Sequence, residues 1–263
     1  MKHKLLTGLA LLAAMFLTGL ASAEQDALQF ERYELDGRHA FLLAPSEAGK
    51  TELGKPWIWY APTFHKKLPN QRDEGWMIER LHAKGIAVAG IDVGESFGSP
   101  KGRAIFQQLY EHMVEQGYST KPVLLARSRG GLMLYNWAVE HPECVAGVAG
   151  VYPVCNLVSY PGLKKAAPAY DLTEAQLKAN LAKHNPIDRL APLAKAKVPL
   201  YHLHGDNDRV VPLEANSGLL ASRYKKLGGP VTLEVIKDGG HDMKSHWFES
   251  QKLTDFMIDK ATN

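Results

Sequence analysis

The sequence has few of the features that mark disulfide-rich, nucleic-acid-binding or nucleotide-binding proteins. It has only two cysteines in 263 residues, so a disulfide framework does not organise the fold. The formal net charge is +3, and it falls further if a leader carrying Lys2 and Lys4 is removed. This near-neutral balance argues against a nucleic-acid partner, which requires a clustered basic face. No glycine-rich phosphate loop of the Walker type occurs, and no cofactor is implied.

The amino terminus has the three parts of a secretory signal peptide. The first four residues, MKHK, are basic, residues 5–20 are apolar, and Ala21-Ser22-Ala23 is a small-residue cleavage site. The apolar part is shorter than the ~20 residues of a spanning helix, no second candidate span follows, and no lipobox cysteine is present. We therefore expect residues 1–23 to be cleaved after Ala23, leaving one periplasmic or secreted domain over residues 24–263 without stable membrane insertion. The oligomeric state stays open.

The two cysteines, Cys144 and Cys155, lie on either side of a predicted strand at residues 145–152. A strand of this length separates its ends by roughly 20 Å, whereas the Cα atoms of a disulfide lie within ~7 Å. We therefore expect two free thiols, with Cys155 buried.

Apolar runs alternate with amphipathic segments along most of the chain. This alternation predicts a mostly parallel central sheet covered by helices on both faces, with a site at the carboxyl ends of the strands. From about residue 156 to 197 the alternation lapses into short helical pieces, which we expect to form a small cap. The predicted strands are 28–35, 38–43, 56–60, 86–92, 122–125, 145–152, 199–204 and 231–237, and the predicted helices are 76–84, 101–116, 131–141, 213–227 and 245–260.

The stretch Ala126-Arg127-Ser128-Arg129-Gly130 connects a predicted buried strand to a predicted helix. A serine between two small residues on such a turn has the pattern of a nucleophile elbow, which exposes the serine Oγ above the sheet. The alternative is a serine that only caps the helix. Arg127 receives no role in either interpretation.

Candidate partners for an activated serine follow later strands. A nucleophilic serine needs a general base, and the base needs a carboxylate that fixes its tautomer. Asp208 follows one predicted strand and His241 follows the next, so the chain order is Ser, Asp, His. Asp206 is a rival carboxylate, but the spacing from Gly205 and to Val211-Pro212 favours Asp208, and we expect Asp206 to be a turn or cap residue.

Three motifs together resemble the α/β-hydrolase superfamily over nearly all of the chain after the leader. They are the Ser128 elbow, the H-G-x-x-D-x-x-V-P stretch at residues 204–212, and Gly239-Gly240-His241. The chain is similar to exported bacterial hydrolases of the esterase and prolyl-oligopeptidase-like branches in the combination of Pro56-Trp57-Ile58-Trp59, Gly98-Ser99-Pro100, Ser128-Arg129-Gly130-Gly131 and Pro153-Val154-Cys155. The resemblance implies an α/β-hydrolase fold with Ser128 as nucleophile, His241 as base and Asp208 as acid.

The resemblance also implies an oxyanion hole and a substrate pocket. One oxyanion donor is the backbone N–H of Arg129, directly after the nucleophile. The second lies in the loop after strand 56–60, where Thr63 and Phe64 both stay open because Pro62 has no N–H. His65 and Tyr160 are candidates for lining the pocket.

The Arg129 side chain has three open interpretations. It can help to hold the oxyanion, bind a substrate carboxylate through its planar fork of donors, or form an ion pair with Glu95 or Asp92.

His202 and His204 lie on one face of a predicted strand, a spacing that can bind metal. No third ligand is evident in the sequence, so we interpret them as buried strand residues and predict no metal site.

These features predict a serine hydrolase that cleaves small-molecule or carbohydrate-linked esters without a cofactor. A peptidase or amidase of the prolyl-oligopeptidase type would use the same machinery, so the fold does not separate the two activities. A non-catalytic binding protein on the same scaffold is the alternative from another class. That alternative predicts that one of the three catalytic residues is missing, and all three are present.

Overall fold

The computed structural model describes residues 28–45, 47–64 and 67–263. The predicted signal peptide and His65 lie outside these residues, so both stay predictions. Within the described ranges, no helix combines the length and the apolar character needed to cross a membrane.

A mixed eight-stranded sheet forms the centre of the described chain. Its spatial order is β1-β2-β4-β3-β5-β6-β7-β8. The strands β1 and β2 form an antiparallel hairpin, β2 is antiparallel to β4, and every other neighbouring pair is parallel. The predicted mostly parallel sheet is therefore confirmed. The strands are β1 Glu31–Leu35, β2 Arg38–Leu43, β3 Trp57–Ala61, β4 Ala87–Ile91, β5 Val123–Arg127, β6 Gly147–Val151, β7 Leu200–Gly205 and β8 Val231–Ile236.

The helices differ from the predicted ones mainly at their ends. Asn70 caps the first helix by accepting the N–H of Asp73 at 2.9 Å, so this helix begins before the predicted residue 76. The predicted helix 213–227 begins with a π-helical turn, Glu214–Gly218, and the predicted helix 245–260 begins with a separate 3-10 turn, Ser245–Phe248. The α-helices are α1 Gln71–His82, α2 Pro100–Glu115, α3 Gly130–Ala138, α4 Leu163–Ala166, α5 Glu174–Ala179, α6 Leu181–His184, α7 Ala191–Lys195, α8 Leu219–Lys226 and α9 Gln251–Thr262.

The sheet is buried on both faces because alternate side chains of each central strand point into different apolar clusters. In β3, Trp57 and Trp59 pack with residues of α2, α3 and α8. On the opposite face, Ile58 and Tyr60 pack with residues of α1 and α9. The predicted covering of both faces by helices is confirmed. Because β5 to β8 are parallel, their carboxyl ends lie at one edge of the sheet.

The segment from residue 156 to 197 contains the short helices α4 to α7. Apolar side chains of this segment, including Leu157 and Leu177, pack against Phe97 and Leu132. Tyr160 is partly buried in the same cluster.

Both cysteines are free, and Cys155 is fully buried. The strand β6 lies between them along the chain, as the distance argument requires.

Candidate active site

Ser128 lies on a sharp turn between β5 and α3. Its φ is 48°, a left-handed backbone conformation that residues other than glycine rarely adopt. A Cβ added to Gly130 would lie 2.0 Å from the carbonyl oxygen of Ala61, so only glycine allows the start of α3 to contact the end of β3. The close approach at Gly130 permits the tight strand-to-helix turn that the sequence predicts, and the turn places the serine hydroxyl at the carboxyl end of the sheet.

The structure brings Ser128, His241 and Asp208 into one hydrogen-bonded row. The Ser128 Oγ lies 2.9 Å from the Nε2 of His241, and the Nδ1 of His241 lies 2.7 Å from the Oδ2 of Asp208. These distances fall within the range expected of a nucleophile, its base and the carboxylate that orients the base.

The Asp208 carboxyl is buried but well supplied with donors. Its Oδ1 accepts the backbone N–H groups of Val210 and Val211 at 3.0 and 2.8 Å. Burial on its own would raise the pKa of Asp208, but hydrogen bonds from His204, His241 and Val211 lower the pKa well below its usual value. The carboxylate is therefore ionised and accepts a hydrogen bond from the Nδ1–H of His241, which leaves the Nε2 free to accept the Ser128 hydroxyl proton.

Close backbone contact holds the acid and base loops together. A Cβ at Gly205 would lie 2.1 Å from the carbonyl oxygen of Gly239, and the N–H of Asn207 donates to this carbonyl at 3.0 Å. Asp206 accepts the N–H of Asp238 at 2.6 Å. Asp206, the rival carboxylate, thus links the two loops, whereas Asp208 contacts the imidazole.

Tyr152, which sequence analysis did not select, supports the histidine loop. Its ring lies 4.4 Å from that of His241, measured between centroids, and its hydroxyl donates to the Asp242 carbonyl at 3.1 Å. The Asp242 side chain accepts the indole N–H of Trp247 at 2.7 Å. These contacts fix the backbone directly after the candidate base.

The loop after β3 leaves one clear candidate for the second oxyanion donor. Phe64 donates its N–H to the Leu68 carbonyl at 3.3 Å, so this group is already in use. Among the described residues, neither the Thr63 N–H nor the Arg129 N–H has an acceptor. The contact between Gly130 and the end of β3 brings these two segments together, which favours Thr63 over Phe64.

The Arg129 side chain forms an ion pair with Glu95. Its guanidinium lies 5.7 Å from the centroid of the Phe64 ring, and the two charged side chains are 33% and 47% exposed. Of the three interpretations, the structure contains the ion pair, which lies beside the loop that follows β3. Tyr160 lies in the apolar cluster of the cap, and its predicted contact with substrate stays a prediction.

Arg127 has a structural role that sequence analysis missed. Its side chain is only 2% exposed, forms an ion pair with the fully buried Glu74 of α1, and lies 3.9 Å from Asp73. It also lies 3.4 Å from the Tyr60 hydroxyl and 2.7 Å from the Met243 sulfur. The guanidinium thus connects β5, α1 and the segment after His241. The local sequence VLLAR shows only an arginine at the end of a buried run and does not identify its partners in α1.

His202 and His204 are buried strand residues, as predicted, and both bond to the Ser217 hydroxyl, at 2.9 and 2.8 Å. In the described part of the chain, no group of three or more His, Cys, Asp or Glu side chains is arranged to hold a metal ion.

Comparison with known proteins supports the fold and gives the family. No curated protein matches the sequence at a significant level. A puromycin-hydrolyzing peptidase from Mycobacterium tuberculosis is 15% identical, with a TM-score of 0.69; the match covers 92% of this chain and 41% of the peptidase. The chain thus spans about two fifths of the length of that relative.

Two other solved structures are matched over nearly their whole length. An S-formylglutathione hydrolase from Agrobacterium tumefaciens is 14% identical, with a TM-score of 0.68, over 88% of this chain and 93% of that protein. Est1E from Butyrivibrio proteoclasticus is 18% identical, with a TM-score of 0.61, over 88% of this chain and 98% of that protein. At these identities the likeness shows the α/β-hydrolase fold.

The prolyl oligopeptidase family model matches residues 106–260, which is more than half of the sequence. That range includes Ser128, Asp208 and His241, which the structure has brought together. The chain therefore belongs to the prolyl oligopeptidase family and has the α/β-hydrolase fold.

Proposed function

We propose that this protein cleaves carboxylic esters through an acyl-enzyme formed on Ser128. The observation that carries the proposal is the hydrogen-bonded row from the Ser128 Oγ to His241 and from His241 to the Asp208 carboxylate. A serine hydroxyl is a weak nucleophile unless an adjacent base removes its proton, and this row supplies the base and fixes its tautomer.

The proposed reaction has two half-reactions. His241 accepts the hydroxyl proton as the Ser128 Oγ attacks the ester carbonyl, and the backbone N–H groups of Arg129 and Thr63 donate to the resulting oxyanion. The protonated imidazole then gives this proton to the departing alcohol, which leaves an acyl group on the serine. A water molecule then attacks the acyl carbonyl while His241 accepts one of its protons, and His241 returns this proton to the Ser128 Oγ as the carboxylic acid is released.

Two observations support an ester substrate. The S-formylglutathione hydrolase and Est1E are each covered almost end to end, at 93% and 98% of their length, whereas the peptidase is covered over 41%. The segment from residue 156 to 197 is built from short helices, which is compatible with access by small-molecule or carbohydrate-linked esters.

Amide cleavage is the second candidate, because the family that matches residues 106–260 is named for an oligopeptidase. The same serine, base and oxyanion donors would serve it, with the imidazolium protonating a leaving amine in place of an alcohol.

The test has two stages. The purified protein is first treated with a fluorophosphonate probe that labels activated serines. Wild type and Ser222→Ala, which alters an exposed serine of α8, should react, and Ser128→Ala should not. An unreactive wild type would favour a non-catalytic binding protein.

The second stage measures turnover of short p-nitrophenyl esters, acetylated and feruloylated sugars, uronate methyl esters and aminoacyl anilides. We expect turnover of esters. Turnover of the anilides alone would overturn the ester assignment in favour of a peptidase or amidase.

We further propose that the protein is exported. Support comes from the order of a basic start, an apolar run and Ala21-Ser22-Ala23 in the sequence. Amino-terminal sequencing of protein recovered from the periplasm or the medium should begin at Glu24, and recovery of uncleaved protein in the cytoplasm would contradict the proposal.

A further inference from the structure

Four fully buried side chains form a continuous hydrogen-bonded chain that ends beside Asp208. The Tyr135 hydroxyl of α3 lies 2.6 Å from the Nε2 of His202. The Nδ1 atoms of His202 and His204 lie 2.9 and 2.8 Å from the Ser217 hydroxyl, which bridges them. The Nε2 of His204 lies 2.8 Å from the Val211 carbonyl oxygen and 3.5 Å from the Asp208 Oδ2.

The direction of every proton in this chain follows from its last member. A backbone carbonyl only accepts, so the Nε2 of His204 must carry a proton. In the neutral ring, the Nδ1 of His204 then accepts the Ser217 hydroxyl proton. The Ser217 oxygen is left to accept from the Nδ1–H of His202, and the Nε2 of His202 accepts from Tyr135. Every polar atom in the chain is satisfied.

The opposite direction fails at the far end. A doubly protonated His204 would donate to Ser217, and Ser217 would donate to His202, whose Nε2–H would then point at the Tyr135 oxygen. The Tyr135 hydroxyl would need another acceptor, and the described residues offer it none. All four side chains are 0% exposed, so an unpaired hydroxyl there carries its full desolvation cost. Burial, together with the nearby His204, also lowers the pKa of His202 to about 3.

We propose that His204 is a positioning residue: this chain fixes its Nε2–H on the Val211 carbonyl, 3.5 Å from the Asp208 Oδ2, and so holds the acid loop and its carboxylate in place for His241. The inference rests on the proposed serine-hydrolase mechanism. Because Tyr135 belongs to the helix that follows Ser128, the chain also connects the nucleophile element to the acid.

The groups that face this part of the site determine how a variant changes the pH profile. Asp208 faces His204 and His241, and Tyr152 packs against the His241 ring. Without the N–H of His204, less of the negative charge of Asp208 is neutralised, so Asp208 attracts the protonated form of His241 more strongly. The acid limb of kcat/KM then moves to higher pH.

The kinetic test compares two replacements at one position. The amide nitrogen of His204→Gln occupies nearly the position of Nε2 and keeps a donor, whereas His204→Leu removes it. With active sites counted by fluorophosphonate titration, we expect His204→Leu to lose about tenfold to a hundredfold in kcat with little change in KM. Its acid limb should move by about half a pH unit to one unit, and His204→Gln should recover most of both. A titrated His204→Leu with wild-type kcat and pH profile would overturn the proposal.

A second measurement compares the wild-type protein with Ser217→Ala and does not depend on turnover. In protein labelled with ¹⁵N-histidine, long-range ¹H–¹⁵N spectra report which ring nitrogen carries the proton. We expect His204 to be protonated at Nε2 and His202 at Nδ1, and we expect Ser217→Ala to disturb both rings. A His204 proton on Nδ1, or the same tautomer in both rings, would overturn the proposal even if His204→Leu fails to fold. A wild type that does not react with the fluorophosphonate would reject the proposed function, while the tautomers would still decide whether the chain runs in this direction.

Discussion

Replacement of Arg127 by methionine should destabilise the protein strongly and also impair the active site. Methionine keeps the length of the side-chain stem but removes the guanidinium. Glu74 then loses the charged partner that compensates for its complete burial, and breaking a buried ion pair from one side costs about 3–5 kcal/mol. The Met243 sulfur, two residues after His241, loses its contact with the guanidinium, so kcat should fall as well.

The structure places this cost near the lower end of the range. Glu74 keeps hydrogen bonds from the Tyr60 hydroxyl at 2.6 Å and from the Asn70 N–H at 3.0 Å, so its oxygens stay partly satisfied. We therefore expect a loss of about 3 kcal/mol in the free energy of unfolding, which corresponds to a fall in Tm of about 6–12 °C for a chain of this size.

The loss should also depend on pH. Burial raises the pKa of Glu74, and Arg127 is the main influence that opposes this rise. In Arg127→Met the folded-state pKa is therefore raised further above the unfolded value. The folded state then binds a proton more tightly, so the variant is most stable below the unfolded pKa of Glu74. It loses stability as the pH rises through the folded pKa. Urea unfolding should show a larger difference from wild type at pH 8 than at pH 5.

Two variants serve as controls for the loss of the buried pair. Arg72→Met on the same helix removes a side chain that is 84% exposed and pairs with the buried Asp73. Because the Asp73 carboxylate keeps a hydrogen bond from the Asn70 side-chain amide at 3.1 Å, this change should cost about 1 kcal/mol. Adding Glu74→Gln to Arg127→Met removes the unpaired carboxylate and should restore part of the lost stability. A loss below about 1 kcal/mol in Arg127→Met, or no recovery in the double variant, would refute the reasoning.

Three further variants test the elbow, the oxyanion hole and the arginine beside it. Gly130→Ala places a methyl group against the end of β3, and we expect a cost of about 1–3 kcal/mol and loss of fluorophosphonate labelling; labelling at the wild-type rate would contradict the steric argument. Thr63→Pro should lower kcat by about a hundredfold to a thousandfold, whereas Phe64→Pro should mainly lower Tm, and equal losses of kcat would contradict the choice of donor. Glu95→Gln should change the free energy of unfolding by less than about 1 kcal/mol. Because it releases Arg129 from its ion pair, it should raise the ratio of kcat/KM for esters that carry a carboxylate to kcat/KM for neutral esters. An unchanged ratio would contradict this role of Arg129.

Sequence reasoning predicted the sheet and the row of three residues because both depend on local patterns. Buried parallel strands appear as continuous apolar runs, and each member of the row lies in a short motif at the end of such a run. The start of α1 was predicted five residues late, because its first turn is polar and its signal is the cap at Asn70. The π-helical turn before α8 has no comparable local pattern.

The roles of Arg127 and His204 could not be predicted because their partners are distant in sequence. Arg127 pairs with Glu74, 53 residues earlier, and the chain through His202 reaches Tyr135, 67 residues earlier. Local periodicity identifies these side chains only as members of buried strands, and which polar groups they meet depends on the strand order and on the helices that cover each face.

The two buried networks lie on opposite faces of the sheet, and each supports a different partner of Ser128. Arg127 points to the face covered by α1 and α9, where it contacts the segment that follows His241. His204 points to the face of α3, where its chain ends beside Asp208. The strained elbow at the end of β5 therefore lies between two sets of polar groups whose hydrogen bonds are satisfied within the protein. Such groups have few alternative arrangements in a buried environment, because each lost hydrogen bond leaves a costly unpaired atom. This physical constraint accounts for how loops from three separate strands hold the serine, imidazole and carboxylate within hydrogen-bonding distance before any substrate binds.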